Sequence, residues 1–243
     1  MFEGFERHEI DTEDARIVSF IGGSGPPLLL LHGYPQTHVA WHRLAPVLSQ
    51  HYTVVATDLR GYGDSRGPQQ VDAAAYSKRT MARDQLAVMK HFGFHRFGLI
   101  GHDRGARVGY RLVLDHPDTV HAFVSLTVIP SAEMWARAGK AFGLGAYHWL
   151  LFAQPYDLPE RLLSSDPDHF LDWTLRKMEG SRLFVGRGAG RVSRGLSPAR
   201  SPACDDAGLP GRSDGRPRAR SRRPCRRAGP RLPGIGAVGT GAF

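Results

Sequence analysis

The run Gly101-His102-Asp103-Arg104-Gly105 restricts the fold of this chain more than any other feature. It directly follows an apolar, strand-like segment, residues 96 to 100, and it opens a helical pattern that continues to about residue 116. A chain turns this sharply from strand into helix only where the residues two before and two after the central one are small, and the two glycines satisfy that need. The pattern therefore predicts a nucleophile elbow with Asp103 at its tip.

Around this turn, short apolar segments alternate with helical ones, as in parallel sheets with crossover helices. Strand candidates are residues 5–11, 15–21, 27–32, 52–57, 96–101 and 120–128, and helix candidates are residues 39–49, 75–93 and 104–116. Residues 131–152 and 160–178 then read as helical with no strand between them. We predict an α/β core over residues 1–130 and a partial helical cap, inserted after it, over residues 131–180.

The composition changes near Ser181. Residues 1–180 carry 18 basic and 20 acidic side chains, whereas residues 181–243 carry 14 Arg and 3 Asp, so the tail alone accounts for the positive net charge of the chain, which is +9. The tail is rich in Arg, Gly and Pro and has little apolar periodicity, which predicts disorder. These amino acids also have GC-rich codons, and a GC-rich gene read out of frame produces the same mixture. We favour a change of reading frame near Ser181, which would make the tail nonhomologous and the fold incomplete at its C-terminal side.

Several classes of protein are not indicated. No apolar run approaches the roughly 20 residues that span a bilayer, and the N-terminus is acidic rather than signal-like, so we expect a cytoplasmic protein without a membrane partner. Cys204 and Cys225 are too few and too far apart for a zinc site or a disulfide scaffold. No aromatic residue is interleaved with the arginines of residues 216–227, so we expect no nucleic-acid partner.

Asp103 is the candidate nucleophile. At a helix N-terminus its carboxylate interacts favourably with the backbone dipole and stays ionised at neutral pH. The alternative is an ordinary helix N-cap. A second motif, His32-Gly33-Tyr34-Pro35, follows the third predicted strand, where the backbone N–H groups of Tyr34 and Arg104 are placed to converge on a developing negative charge. The alternative for this motif is a turn that ends the strand.

Four segments, HGYPQTHVAWHR, DLRGYGDS, GHDRGARVGYR and AYHWLLFAQP, resemble the haloacetate (fluoroacetate) dehalogenases of the α/β-hydrolase superfamily, over about residues 3–180. The resemblance implies an α/β-hydrolase fold, a mostly parallel sheet with an inserted helical cap. It implies that Asp103 displaces halide from a haloacetate to form an ester, which water converts to glycolate. Arg104 and Arg107 would hold the substrate carboxylate, and His148 and Trp149 the leaving halide. No cofactor is implied, and a homodimer is compatible with the resemblance.

The implied roles agree with the chemistry of the side chains. Arg104 and Arg107 are three residues apart, so they share one face of the first helical turn, and a planar guanidinium matches a carboxylate with two parallel hydrogen bonds. The N–H groups of His148 and Trp149 can donate to a halide. The alternatives are a solvated basic helix face for the two arginines and ordinary cap packing for the two aromatic residues.

Two departures from the family concern hydrolysis of the ester. Thr127 stands where the resemblance leads one to expect an Asp that orients the catalytic histidine, and no histidine follows His169, although the general base is expected beyond the cap. We therefore expect Asp103 to be alkylated once without turnover. An epoxide hydrolase, in which a cap tyrosine such as Tyr147 protonates the epoxide oxygen, is the runner-up. The alternative from another class is a noncatalytic remnant or a basic-tailed binding protein.

Overall fold

A computed structural model describes residues 2–68, 73–154 and 158–179 of the chain. The predicted tail, residues 181–243, lies outside the described residues together with its two cysteines. No helix within the described part is long and apolar enough to cross a membrane.

Six strands form one mixed sheet in the order β1-β2-β4-β3-β5-β6. The strands are β1 Glu6–Asp11, β2 Arg16–Gly22, β3 Pro27–Leu31, β4 Thr53–Thr57, β5 Phe97–His102 and β6 Val120–Leu126. Strands β3 to β6 run parallel to one another, whereas β1 pairs antiparallel with β2 and β2 pairs antiparallel with β4. The predicted mostly parallel sheet is therefore confirmed, with an antiparallel hairpin on one side.

The α-helices are α1 Ala45–Leu48, α2 Lys78–His91, α3 Arg104–Asp115, α4 Ser131–Ala136, α5 Lys140–Gly145, α6 Tyr147–Phe152, α7 Leu158–Ser165 and α8 Pro167–Glu179, with short 3-10 helices at His38–Trp41 and Ala73–Tyr76. The prediction of one continuous helix over residues 39–49 was wrong. This segment is a 3-10 turn followed by α1, because Pro46 lacks an N–H and fits only the first turn of a new helix.

Two further boundaries differ from the prediction. The strand predicted to end at residue 128 ends at Leu126, because Thr127 turns the chain with a φ of 66°. The predicted helical stretch after β6 contains no strand in its described residues, as expected, but it is divided into α4 to α8. Gly139 interrupts it with extended backbone, and Pro167 starts a new helix behind Asp166, whose Oδ1 accepts the His169 N–H at 3.0 Å.

The two faces of the sheet bury alternate residues of the same strands. Leu29 and Leu31 of β3 pack on one face with residues of α2 and α3, while Leu28 and Leu30 pack on the other face with Trp41. All four leucines are at most 7% exposed. Burial on both faces explains why the central strands are continuous apolar runs rather than alternating ones.

The topology brings two strand ends together. β3 and β5 are parallel neighbours, with Leu31 opposite Gly101. Gly33 and Tyr34, which follow β3, therefore meet Asp103, which follows β5, at the carboxyl edge of the sheet. Ligands of open α/β sheets bind at this edge.

Candidate active site

Asp103 occupies the sharp turn that the sequence predicts. Its backbone has φ 48° and ψ −113°, a conformation that a non-glycine residue adopts only where its surroundings enforce it. A Cβ on Gly101 would lie 2.6 Å from the Cα of Ala106, and one on Gly105 would lie 2.3 Å from the carbonyl oxygen of Leu31. The Asp103 side chain makes no capping hydrogen bond to α3, so its carboxylate is not used as an N-cap.

Tyr34 holds one oxygen of this carboxylate. Its backbone N–H donates to Asp103 Oδ2 at 2.9 Å. The approach requires Gly33, because a Cβ there would lie 2.6 Å from the Asp103 Cβ. The motif after β3 therefore contacts the candidate nucleophile through its backbone, which an ordinary turn would not do.

His32, the first residue of that motif, supports the loop from within the core. It is fully buried, and its Nε2 accepts the Leu59 N–H at 3.0 Å while its Nδ1 lies 2.9 Å from the Gly33 carbonyl oxygen. The first contact makes Nε2 the acceptor, so Nδ1 carries the proton and donates. Burial lowers the pKa of His32 to about 4, so its imidazole is neutral at physiological pH.

A small cavity of about 60 Å³ opens beside Asp103. The six residues that the sequence analysis singled out all line it, namely Tyr34, Asp103, Arg104, Arg107, His148 and Trp149. Three lining residues were missed: Lys78, Ser131 and Phe152. No local motif marks these three, because they reach the cavity only through the packing of α2, α4 and α6 around it.

Arg107 is buried, with 7% of its surface exposed, and its side chain is held in one orientation. Its Nη1 donates to Ser131 Oγ at 2.8 Å and to the Ile129 carbonyl oxygen at 3.2 Å, and its guanidinium carbon lies 4.5 Å from the centre of the Trp149 ring. Its buried Nε has no hydrogen-bond partner among the described residues. Such burial does not fit a solvated helix face, and the free donor suits an anionic ligand.

Arg104 is half-buried on the same helical turn, with its guanidinium carbon 5.9 Å from the centre of the Tyr62 ring. Burial raises the pKa of the Tyr62 hydroxyl, which therefore stays neutral beside the arginine. In the described part of the chain, no carboxylate lies within 4 Å of the charged groups of Arg104 or Arg107. The cavity thus presents two guanidinium groups beside one carboxylate, that of Asp103.

Helix α6 places His148 and Trp149 over the cavity. The His148 ring stacks on Tyr34 with centroids 5.7 Å apart, and Trp149 packs edge-on against Trp135 at 5.7 Å and Phe142 at 5.6 Å. The two residues thus pack within the predicted cap and line the cavity at once. Both interpretations made from the sequence are compatible with this placement.

Thr127 and Tyr147 do not take part in the cavity lining. Thr127 is exposed at the end of β6, where its hydroxyl donates to the Leu126 carbonyl oxygen at 2.7 Å. Tyr147 points its ring toward Trp173, with centroids 5.4 Å apart. The part of the chain with described side chains contains no group of three or more residues suited to hold a metal ion.

The DLRGYGDS loop supports the site rather than lining it. Asp58 Oδ1 accepts the backbone N–H of His38 at 2.6 Å and lies 2.8 Å from its Nδ1, and both side chains are at most 5% exposed. Arg60 binds Asp84 through Nε at 2.6 Å and Asp14 through Nη2 at 2.7 Å. These buried polar contacts fix the loop after β4.

Comparison with known proteins gives three close similarities and one family match. A model of the alpha/beta hydrolase fold family matches residues 26–214. The chain is 48% identical to a fluoroacetate dehalogenase of a Burkholderia species over 176 residues, which is 72% of this chain and 58% of that protein. It is 38% identical to a soluble epoxide hydrolase of Corynebacterium sp. (strain C12) over 135 residues, which is 56% of this chain and 45% of that protein.

A solved structure of a suggested epoxide hydrolase from Pseudomonas aeruginosa superposes with a TM-score of 0.76 at 57% identity. The superposition covers 79% of this chain and 65% of the other. The chain thus spans less than two thirds of each of these relatives. The predicted resemblance and the predicted fold class are both confirmed, and the chain belongs to the α/β-hydrolase fold family.

Proposed function

We propose that the chain carries the alkylation site of a haloacid dehalogenase, in which Asp103 attacks the α-carbon of a 2-haloacid. The observation that supports this most directly is the juxtaposition of the Asp103 carboxylate with the guanidinium groups of Arg104 and Arg107 in one small cavity. In the first step a carboxylate oxygen forms a bond to the α-carbon, and the carbon–halogen bond breaks with its electron pair leaving as halide. The product is an ester of Asp103.

The two oxygens of Asp103 have different roles in this step. Oδ2 accepts the Tyr34 N–H, whereas Oδ1 accepts no hydrogen bond from the described residues and is free to attack. When water later attacks the ester carbonyl, negative charge develops on the oxygen that Tyr34 already holds. The same backbone donor thus orients the nucleophile first and stabilises the oxyanion afterwards.

The charge of the cavity favours an acid over a neutral substrate. A carboxylate bound to Arg104 and Arg107 lies within reach of Asp103, and a cavity of about 60 Å³ suits an acid of few atoms. His148 and Trp149, which line the same cavity from α6, would donate to the departing halide. We propose residues 131–180 as the cap that closes this site, since α4 and α6 supply four of its lining residues.

Epoxide hydrolysis is the second candidate, since two of the relatives described above bear that name. An Asp nucleophile serves both reactions. The geometry favours the dehalogenase, because a neutral epoxide would leave both guanidinium groups unpaired, and because Tyr147 does not line the cavity from which it would protonate an epoxide oxygen. Halide release from fluoroacetate, compared with hydrolysis of a short terminal epoxide, separates the two.

We expect the 243-residue chain to release about one equivalent of fluoride from fluoroacetate and then stop. Among the described residues that line the cavity His148 is the only histidine, and we assign it to the halide. Thr127, which replaces the expected carboxylate, offers only a hydroxyl, so the described residues supply no histidine paired with a carboxylate to deprotonate the water. Fluoride measured against protein concentration, with the intact mass after reaction, checks this: the protein should gain one carboxymethyl group, located on Asp103. Continuous release would show that a general base is present.

Replacing Arg104 with Gln should raise the half-saturating concentration of fluoroacetate in this alkylation about tenfold to a hundredfold, the range expected for a lost charge-assisted hydrogen bond. Single-turnover rates over a series of fluoroacetate concentrations give the value. Arg111→Gln is a matched control, because Arg111 lies on the same helix, pairs with Asp115 and does not line the cavity. Equal half-saturation for Arg104→Gln and the unaltered chain would remove Arg104 from the carboxylate site.

A further inference from the structure

Lys78 is a third cation at the cavity, and neither the family motifs nor the sequence pattern marks it. It lines the same space as Asp103, Arg104 and Arg107, and it is the first residue of α2. Ser77 fixes this end of the helix by accepting the Thr80 N–H at 3.2 Å, while the Thr80 hydroxyl donates to the Ala74 carbonyl oxygen at 2.7 Å. The position of Lys78 is therefore set by the helix start.

The surroundings of Lys78 are unfavourable for an ammonium group. A positive charge in the first turn of a helix opposes the helix dipole. Among the described residues, no carboxylate lies within 4 Å of its nitrogen, and the nearby charges are the guanidinium groups of Arg104 and Arg107. Burial, reinforced by these two groups, lowers the pKa of Lys78 to about 8.

An anion in the cavity would offset the unfavourable burial of the Lys78 ammonium group and its repulsion by the two guanidinium groups. Three cations and the single carboxylate of Asp103 leave the empty site with an excess of positive charge, and the buried Nε of Arg107 has no partner in the described part of the chain. A bound carboxylate has two oxygens and about four lone-pair positions, enough to accept from more than two cationic groups. The three cations occupy the starts of two helices, α2 and α3, which pack beside each other.

We propose that Lys78 is a substrate-binding residue that, together with Arg104 and Arg107, binds the carboxylate of the acid. The inference rests on the proposed function, because it assigns a further contact of the same substrate. Lys78 would add a third cationic contact to those of the two arginines. The residue is not assigned a step in bond breaking.

Binding of an acid at Lys78 is expected to depend on pH. The charged or titratable groups that face Lys78 across the cavity are Tyr34, Asp103, Arg104, Arg107 and His148. In the empty site the ammonium loses its proton as the pH rises through about 8, whereas a bound carboxylate favours the charged form and raises the pKa. Binding therefore takes up a proton above that pH, and the affinity for the acid falls there by up to tenfold per pH unit.

Equilibrium binding of acetate to the full 243-residue chain tests the inference without any chemical step, because acetate carries no leaving group. NMR titrations from neutral pH to about two units above it would compare the unaltered chain with Lys78→Met and Lys78→Arg. Lys90→Met is the control, since Lys90 lies on the same helix but is exposed. We expect Lys78→Met to weaken acetate binding about tenfold at neutral pH and to abolish the fall above pH 8. Lys78→Arg should retain the affinity and also lose the fall, because arginine does not titrate in this range.

The outcomes separate this inference from the proposed function. If Lys78→Met binds acetate as tightly as the unaltered chain, or keeps the same pH profile, Lys78 does not bind the carboxylate, even where fluoroacetate still alkylates Asp103. If acetate binding depends on Lys78 but fluoroacetate does not alkylate the chain, the anion site stands and the dehalogenase proposal fails. Should Lys78→Met fold poorly, an unaltered pH profile in Lys78→Arg overturns the inference by itself.

Discussion

The substitution Asp103→Asn should abolish fluoride release and ester formation, with a loss of at least about a thousandfold in the single-turnover rate. An amide is not a nucleophile able to displace fluoride, whereas its shape and its oxygen acceptor match those of the carboxylate. Asn is also enriched at positive φ, so it tolerates the φ of 48° at this position. The Tyr34 N–H keeps an oxygen to donate to, and the fold should be retained.

Fluoride release and the intact mass after incubation with fluoroacetate measure this loss. Asp118→Asn is the matched control, because Asp118 is an exposed aspartate after α3 that does not line the cavity. Its protein should be alkylated as fast as the unaltered chain. Undiminished alkylation of Asp103→Asn would place the nucleophile elsewhere and would remove the basis for the roles of Arg104, Arg107 and Lys78.

The elbow could be predicted from the sequence because its constraints are local. A strand that turns into a helix within a few residues requires glycine on both sides, and the apolar segment before Gly101 fixes the direction from which the chain arrives. The same holds for the motif after β3, since Gly33 is needed for the backbone to approach Asp103. Parallel pairing of β3 with β5 then places the two motifs side by side.

Lys78, Ser131 and Phe152 could not be predicted in the same way. Lys78 precedes the elbow by 25 positions in the sequence, and it reaches the cavity because α2 packs beside α3. From the sequence alone, Lys78 is indistinguishable from an ordinary solvated lysine at the start of an amphipathic helix. The burial of Arg107 is equally nonlocal, since it depends on Ser131 and on the ring of Trp149 from the following helices.

The electrostatics of the cavity connect these residues. Arg107 is held by Ser131 and Trp149, so its guanidinium is already oriented in the empty cavity. A cation that is already oriented stabilises negative charge in a transition state more than a mobile one, because it does not have to reorganise at the moment of attack. The repulsion between the like charges of Lys78, Arg104 and Arg107 is already present in the folded protein without a ligand. This favours an anionic ligand whichever chemistry follows.

Gly105→Ala is expected to lower the free energy of unfolding by about 3 kcal/mol or more, a large effect for one methyl group. The added Cβ would lie 2.3 Å from the carbonyl oxygen of Leu31 and 2.5 Å from that of His32. Both are backbone atoms at the end of β3, so they cannot move aside as a flexible side chain would. Relief requires α3 to shift away from the sheet, and this displaces Asp103, so alkylation should be lost as well.

Urea unfolding monitored by tryptophan fluorescence measures the effect against Gly145→Ala. Gly145 is also a helical glycine, but a Cβ there would meet no atom within 4 Å, so that substitution should change the stability by no more than about 1 kcal/mol, in the stabilising direction. The comparison removes the general preference of helices for alanine over glycine and leaves the contact with β3. If both variants were equally stable, the tight contact between α3 and the end of β3 would be absent in solution. The position of Asp103 would then need another explanation.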